Sequence, residues 1–166
     1  MSDLYTEQII KRKTPVVDQV KKIVLIALTV AMVIIGLIMP LFLIGAIVLG
    51  VISYFMIPRW NLEYEYLYVN GELDIDKIMS KTKRKRVCSL DLSSLELLAP
   101  VTSHQMDSYN NNPKIKTLDY SSMDSEHKIY AMILSKEGEL KKVLFEPNEV
   151  MLNDIKRMAP RKVFFD

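Results

Sequence analysis

At 166 residues the chain has room for one compact domain of about 100 residues plus a membrane anchor. A net charge of +2 provides no concentrated basic excess, which excludes nucleic-acid binding driven by bulk charge. Cys88 is the only cysteine, so an intramolecular disulfide and a thiolate metal cage are both excluded. It reads as a small buried strand residue and is compatible with a reducing, cytosolic setting.

Charge is uneven along the chain. Residues 1–60 carry six basic and three acidic side chains, whereas 61–166 carry sixteen and seventeen. Residues 1–22 read as a cytoplasmic N-terminal segment. At its end Thr14-Pro15 has the form of a helix start, with Thr14 as N-cap and Pro15 at the first helical position.

Residues 23–57 contain no charged side chain. A spanning helix needs about 20 apolar residues for a hydrocarbon core of about 30 Å. One straight helix over this block would be about 50 Å long, too long for a single crossing without severe tilt. Two spans would have about 17 residues each, near the lower limit. The natural break is at Met39-Pro40, because Pro40 lacks an N–H and disfavours helical angles at Met39. Lys11, Arg12, Lys13, Lys21 and Lys22 precede the block and Arg59 follows it. Positive flanks at both ends put both ends on the cytoplasmic side, which two spans achieve and one does not. The expectation is a multi-pass cell-membrane protein with two transmembrane helices and both termini inside. The alternative is one kinked span with the polar domain outside. Tyr54 and Trp60 stand where interfacial aromatic anchors belong.

From residue 61 the pattern changes to period two. Leu62, Tyr64, Tyr66 and Tyr68 alternate with Glu63, Glu65 and Leu67, Asn70-Gly71 supplies a turn, and Leu73 and Ile75 resume. Further strands are expected over 86–92, 95–101, 115–120, 128–134 and 140–145. The stretch 103–114 reads as a polar loop and 136–139 as a turn. Pro147 opens a helix whose Met151, Leu152, Ile155, Met158 and Ala159 form one apolar stripe, ended by Pro160. The expected fold is a membrane α-helical hairpin plus an α+β domain over 61–166, an antiparallel sheet of about seven strands with a C-terminal helix.

This order resembles the pleckstrin-homology-like (PH-like) superfold. More narrowly, the chain looks like bacterial PH-like domains fused to a transmembrane hairpin, and like a family of small Gram-positive membrane proteins with this layout. The residues that carry the likeness are the two spans, LEYEYLYVNGELDID, KTKRKRV, SLELLAP and FEPNEVMLNDI. The resemblance implies an interaction module. In eukaryotic PH domains, basic residues around the loop of the first strand pair bind phosphoinositides. Here that loop is expected at Asn70-Gly71, which has no basic residue, and this argues against an inositol-phosphate role.

Lys81, Lys83, Arg84, Lys85 and Arg86 form a dense basic run, expected in the connection before the third strand. Near an anionic leaflet each can add about 1 kcal/mol of attraction, so these five are the candidate headgroup contacts. The more ordinary reading is a solvated or membrane-orienting turn. His104 and His127 lack metal-site spacing and read as surface histidines, and no phosphate loop or nucleophile elbow is present. Glu63, Glu65, Glu72, Asp74 and Asp76 read as a solvated sheet face, with the three tyrosines on its buried or membrane-facing side. The chain is therefore expected to bind no cofactor or metal and to be a non-catalytic interaction module at the inner membrane surface. Its expected partners are membrane lipids and a protein, with no nucleic acid; homo-oligomerisation is compatible with this. The competing reading is a domain that responds to anionic lipid through 81–86.

Overall fold

The computed structural model describes residues 5–136 and 138–166, with the backbone alone for Arg59. Glu137 of the expected turn and the Arg59 side chain of the expected positive flank lie outside what is described. The apolar block folds as two helices, α1 (Val16–Ile38) and α2 (Leu41–Trp60), broken at Met39 and Pro40. Helix α1 takes in residues ahead of the uncharged block and α2 runs past it. At 1.5 Å per residue, α1 reaches about 35 Å and α2 about 30 Å, enough to cross a bilayer. Only 6% of each apolar window is buried within the molecule, so neither is the core helix of a water-soluble fold. Gly36 is the one buried residue of α1. A Cβ there would come within 2.5 Å of the Leu43 side chain, so glycine is what lets the two helices meet at the turn. Thr29 and Ser53 face each other across the hairpin at 3.4 Å.

The polar part is a two-sheet sandwich. One sheet has the order β1-β2-β3-β4, formed by β1 (Tyr5–Lys11), β2 (Leu62–Val69), β3 (Glu72–Met79) and β4 (Lys83–Asp91), all antiparallel. The other has the order β5-β7-β8-β6, from β5 (Leu95–Pro100), β6 (Lys116–Asp119), β7 (Tyr130–Lys136) and β8 (Glu139–Phe145). The described residues thus form eight strands in two sheets rather than about seven in one. The β6–β8 pair is parallel, so the sheets are not wholly antiparallel. The sheet also takes in residues that the sequence reading set apart, since β1 pairs with β2 from Tyr5↔Val69 to Lys11↔Glu63.

Tyr66 and Tyr68 are fully buried, and the core between the sheets also holds Leu73, Ile75, Leu98, Met132 and Phe145. The C-terminal helix, α4 (Glu149–Met158), is capped by the Asn148 side chain accepting from Met151 N–H, and it adds Met151, Leu152 and Ile155 to this core. The expected loop at 103–114 contains a short helix α3 (Asp107–Asn110), and Met106 just before it is fully buried. The tail after α4 covers the edge of β5. Leu98 N–H donates to Lys162 O and Phe164 N–H to Leu98 O, both at 2.8 Å, so the tail bridges that edge at its middle.

Candidate membrane-interface site

Strand β1 enters α1 through residues 12–15, and α2 enters β2 through Asn61, so the hairpin is itself the connection between the first two strands. The expected first-pair loop at Asn70-Gly71 is instead the β2–β3 turn, with both residues left-handed at φ 46° and 97°. The hairpin legs close on each other where Thr14 Oγ1 donates to Trp60 O at 2.9 Å. Thr14 therefore ties the legs together and does not cap α1, which begins at Val16. The β3–β4 turn joins the same foot, with Ser80 N–H donating to Asn61 O at 3.0 Å.

That turn carries Lys81. Ser80 and Lys81 both have positive φ, 47° and 60°, an uncommon conformation for residues with a Cβ. A hollow of about 240 Å³ at the foot is lined by Lys11, Asn61, Leu62, Glu63, Ser80 and Lys81. Lys11, Lys22, Lys81, Lys83 and Lys85 have no carboxylate partner among the described residues, so their charge is available to a ligand.

The rest of the basic run is placed differently from expectation. It lies mostly in β4, which begins at Lys83, and not in the connection before it. Arg84 reaches across to Glu65 at 2.6 Å, and Arg86 contacts Asp74 at 3.0 Å and Asp76 at 3.4 Å. These two arginines are occupied within the sheet. Lys81 and Lys83 stand at the hairpin end, whereas Lys85 lies further along β4. As an edge strand β4 also gains from its lysines, which discourage edge-to-edge association.

The acidic face is not uniformly solvated. Glu65 is fully buried and Asp76 nearly so beneath the arginines, while Glu72 is exposed. Burial holds the Glu65 carboxyl above its ordinary range despite Arg84, and its Oε2 has no hydrogen-bond partner. The tyrosines Tyr64, Tyr66 and Tyr68 occupy the opposite, interior face.

Two further basic residues fasten the foot to the sandwich. Arg12 donates to Tyr64 Oη at 2.7 Å and to Asp119 O at 3.1 Å, and lies 5.6 Å from the Tyr64 ring centroid. Lys13 pairs with Asp124 at 3.1 Å. Tyr54 is strongly exposed on α2 and Trp60 is half-buried at its end.

Cys88 is half-buried on β4, and burial pushes its thiol up, away from reactive thiolate. His104 is fully exposed. His127 lies against buried Glu146, with Nδ1 3.1 Å from Oε2, while Ser122 Oγ donates to Glu146 Oε1 at 2.6 Å. Ser122 Oγ also lies 3.4 Å from His127 Nδ1, but its shorter bond commits the hydroxyl proton to the Glu146 carboxylate and not to the imidazole.

No curated protein and no solved structure matches the chain. One family does match over residues 2–165, a stretch that includes β1, the whole hairpin and both sheets. The chain belongs to the family described as Bacterial PH-like domain (DUF6106).

Proposed function

We propose that the protein is a non-catalytic interaction module held at the inner surface of the cell membrane, with both termini cytoplasmic, and that it binds a protein partner there. The observation that carries this reading is the position of the hairpin. Placed between β1 and β2 and closed by Thr14 and Trp60, it tethers the sandwich at two points and keeps one end toward the bilayer. The lateral faces are then presented at constant height, and confinement raises the effective concentration for partners in the same membrane. Affinity isolation of the intact protein from mildly solubilised membranes tests this. A second protein should be recovered in constant proportion under several detergents, and recovery of the chain alone under all of them contradicts the reading.

A second reading is a response to anionic lipid. It is favoured by Lys11, Lys81 and Lys83 gathering at the hairpin foot without carboxylate partners. Together they supply about 3 kcal/mol of headgroup attraction. Trp60, the only tryptophan, reports on that foot. In nanodiscs its emission should shift between phosphatidylcholine and phosphatidylglycerol for the natural chain and not for Lys11→Gln/Lys81→Gln/Lys83→Gln. Equal shifts in both proteins contradict the lipid reading.

A further inference from the structure

The position of a bound partner follows from the backbone of β1. Arg12 N–H donates to Leu62 O at 2.9 Å, which sets the parity of the antiparallel ladder, so even-numbered residues of β1 turn their backbone groups toward β2. The N–H and C=O groups of Glu7, Ile9 and Lys11 therefore point outward, and they meet no backbone partner among the described residues. The next outward donor in line, Lys13 N–H, is taken by Ser122 O at 2.7 Å. One loop carbonyl thus takes the outward donor just beyond β1 at the membrane end, and the edge of β1 itself stays open.

Beside that open stretch runs a groove of about 760 Å³, bounded by β1, residues 126–130 and the start of α4. Ile10, Tyr130 and Leu152 give it an apolar lining. The carboxylates of Glu126 and Glu149 stand exposed on it without an ion-pair partner among the described residues. Lys128 is the one lysine or arginine among the lining residues, and its Nζ donates to Phe165 O. The groove therefore complements an extended segment that alternates apolar and basic side chains.

A second copy of this chain does not fit in antiparallel register. Antiparallel pairing of two β1 edges would send the two hairpins in opposite directions, and one bilayer cannot hold both. Cytoplasmic segments next to the spans of other membrane proteins do have the required composition, because lysine and arginine accumulate there.

We propose that β1 and this groove bind the basic juxtamembrane segment of another membrane protein, by addition of a strand to the open β1 edge. The proposal rests on the module reading above and names its site and partner class. The test uses the full chain in phosphatidylcholine nanodiscs and the fluorescence anisotropy of short labelled peptides. A peptide alternating valine and lysine should bind saturably. The valine–glutamate version, and a valine–lysine peptide N-methylated along one edge, should each bind about tenfold more weakly or worse. Glu126→Lys/Glu149→Lys, at two exposed positions, should cost the lysine peptide about tenfold. Ile9→Pro should cost as much, because it removes an outward donor that the β1–β2 ladder does not use. Equal binding of lysine and glutamate peptides, indifference to N-methylation, or an unaffected charge-reversed protein would each overturn the proposal. If the peptides fail while a partner is still recovered from membranes, the site is wrong and the module stands. If both fail, the module reading falls as well.

Discussion

Glu65 and Arg84 show how much of this sheet face depends on its ionic state. Glu65 is fully buried and its carboxyl is raised above 4.5, chiefly by burial, with Arg84 pulling the other way. An acid raised on folding binds its proton more tightly in the folded state. Its penalty is absent below 4.5 and grows as pH rises through the folded value. Glu65→Gln should therefore flatten this part of the pH dependence, read as the difference between natural and variant chains in urea unfolding at mildly acidic and alkaline pH. Arg84→Ala should steepen it, and the same slope in all three chains would show that Glu65 does not titrate as described.

Lys81 makes a separate residue-scale point. Its left-handed φ costs about 1 kcal/mol, which glycine would relieve, but glycine also gives back a similar amount as unfolded-chain entropy. Lys81→Gly should thus leave sandwich stability within about 0.5 kcal/mol and, on the anionic-lipid reading proposed above, should remove one headgroup contact worth about 1 kcal/mol. A large loss of stability would mean that the lysine stem holds the turn.

At the scale of elements, what was legible in the sequence depended on how each element is stabilised. β2, β3 and α4 bury alternating or helically spaced apolar side chains, so their patterns were plain. β1 escaped because two of its three inward residues are polar: Thr6 Oγ1 donates to Asp154 at 3.0 Å, while Gln8 donates to Glu146 O at 2.8 Å and accepts from Asn148 N–H at 2.7 Å. No hydropathy alternation marks a strand held by such bonds. β4 began earlier than expected because Arg84 and Arg86 find carboxylates on β2 and β3, which local pattern does not reveal. The hairpin foot was invisible for a related reason, since it combines residues 11, 61 and 80–81, far apart in the chain.

These contacts carry a consequence for fragments. Residues 61–166 lack β1 and should unfold without cooperativity. A chain in which 1–13 is joined to 61–166 by a short turn should be soluble and fold, because Thr14 and Trp60 are already in contact. Circular dichroism melts distinguish them, and a sharp melt for 61–166 alone would deny β1 its structural role.

At the scale of the whole molecule, one topological fact organises the rest: a membrane hairpin inserted between two strands that pair with each other. It makes the polar domain discontinuous in sequence and fixes which end meets the bilayer. It also requires both flanks of the hairpin to lie on one side. The hairpin occupies the β1–β2 connection, with Lys11 and Lys81 at its base.

The most direct measurement is a cross-link across the hairpin in intact membranes. Lys11 and Glu63 are register partners in β1 and β2 and form a non-hydrogen-bonded pair, which brings Cα atoms to about 4.5 Å, within disulfide range. With Cys88→Ser as background, Lys11→Cys/Glu63→Cys should oxidise readily to an intramolecular disulfide, whereas Lys11→Cys/Glu72→Cys, with one cysteine at the far end of the sheet, should not. Failure of the first pair to bridge, with one cysteine modified by an impermeant reagent from outside the cell, would contradict the inserted hairpin and the placement of both flanks on one side.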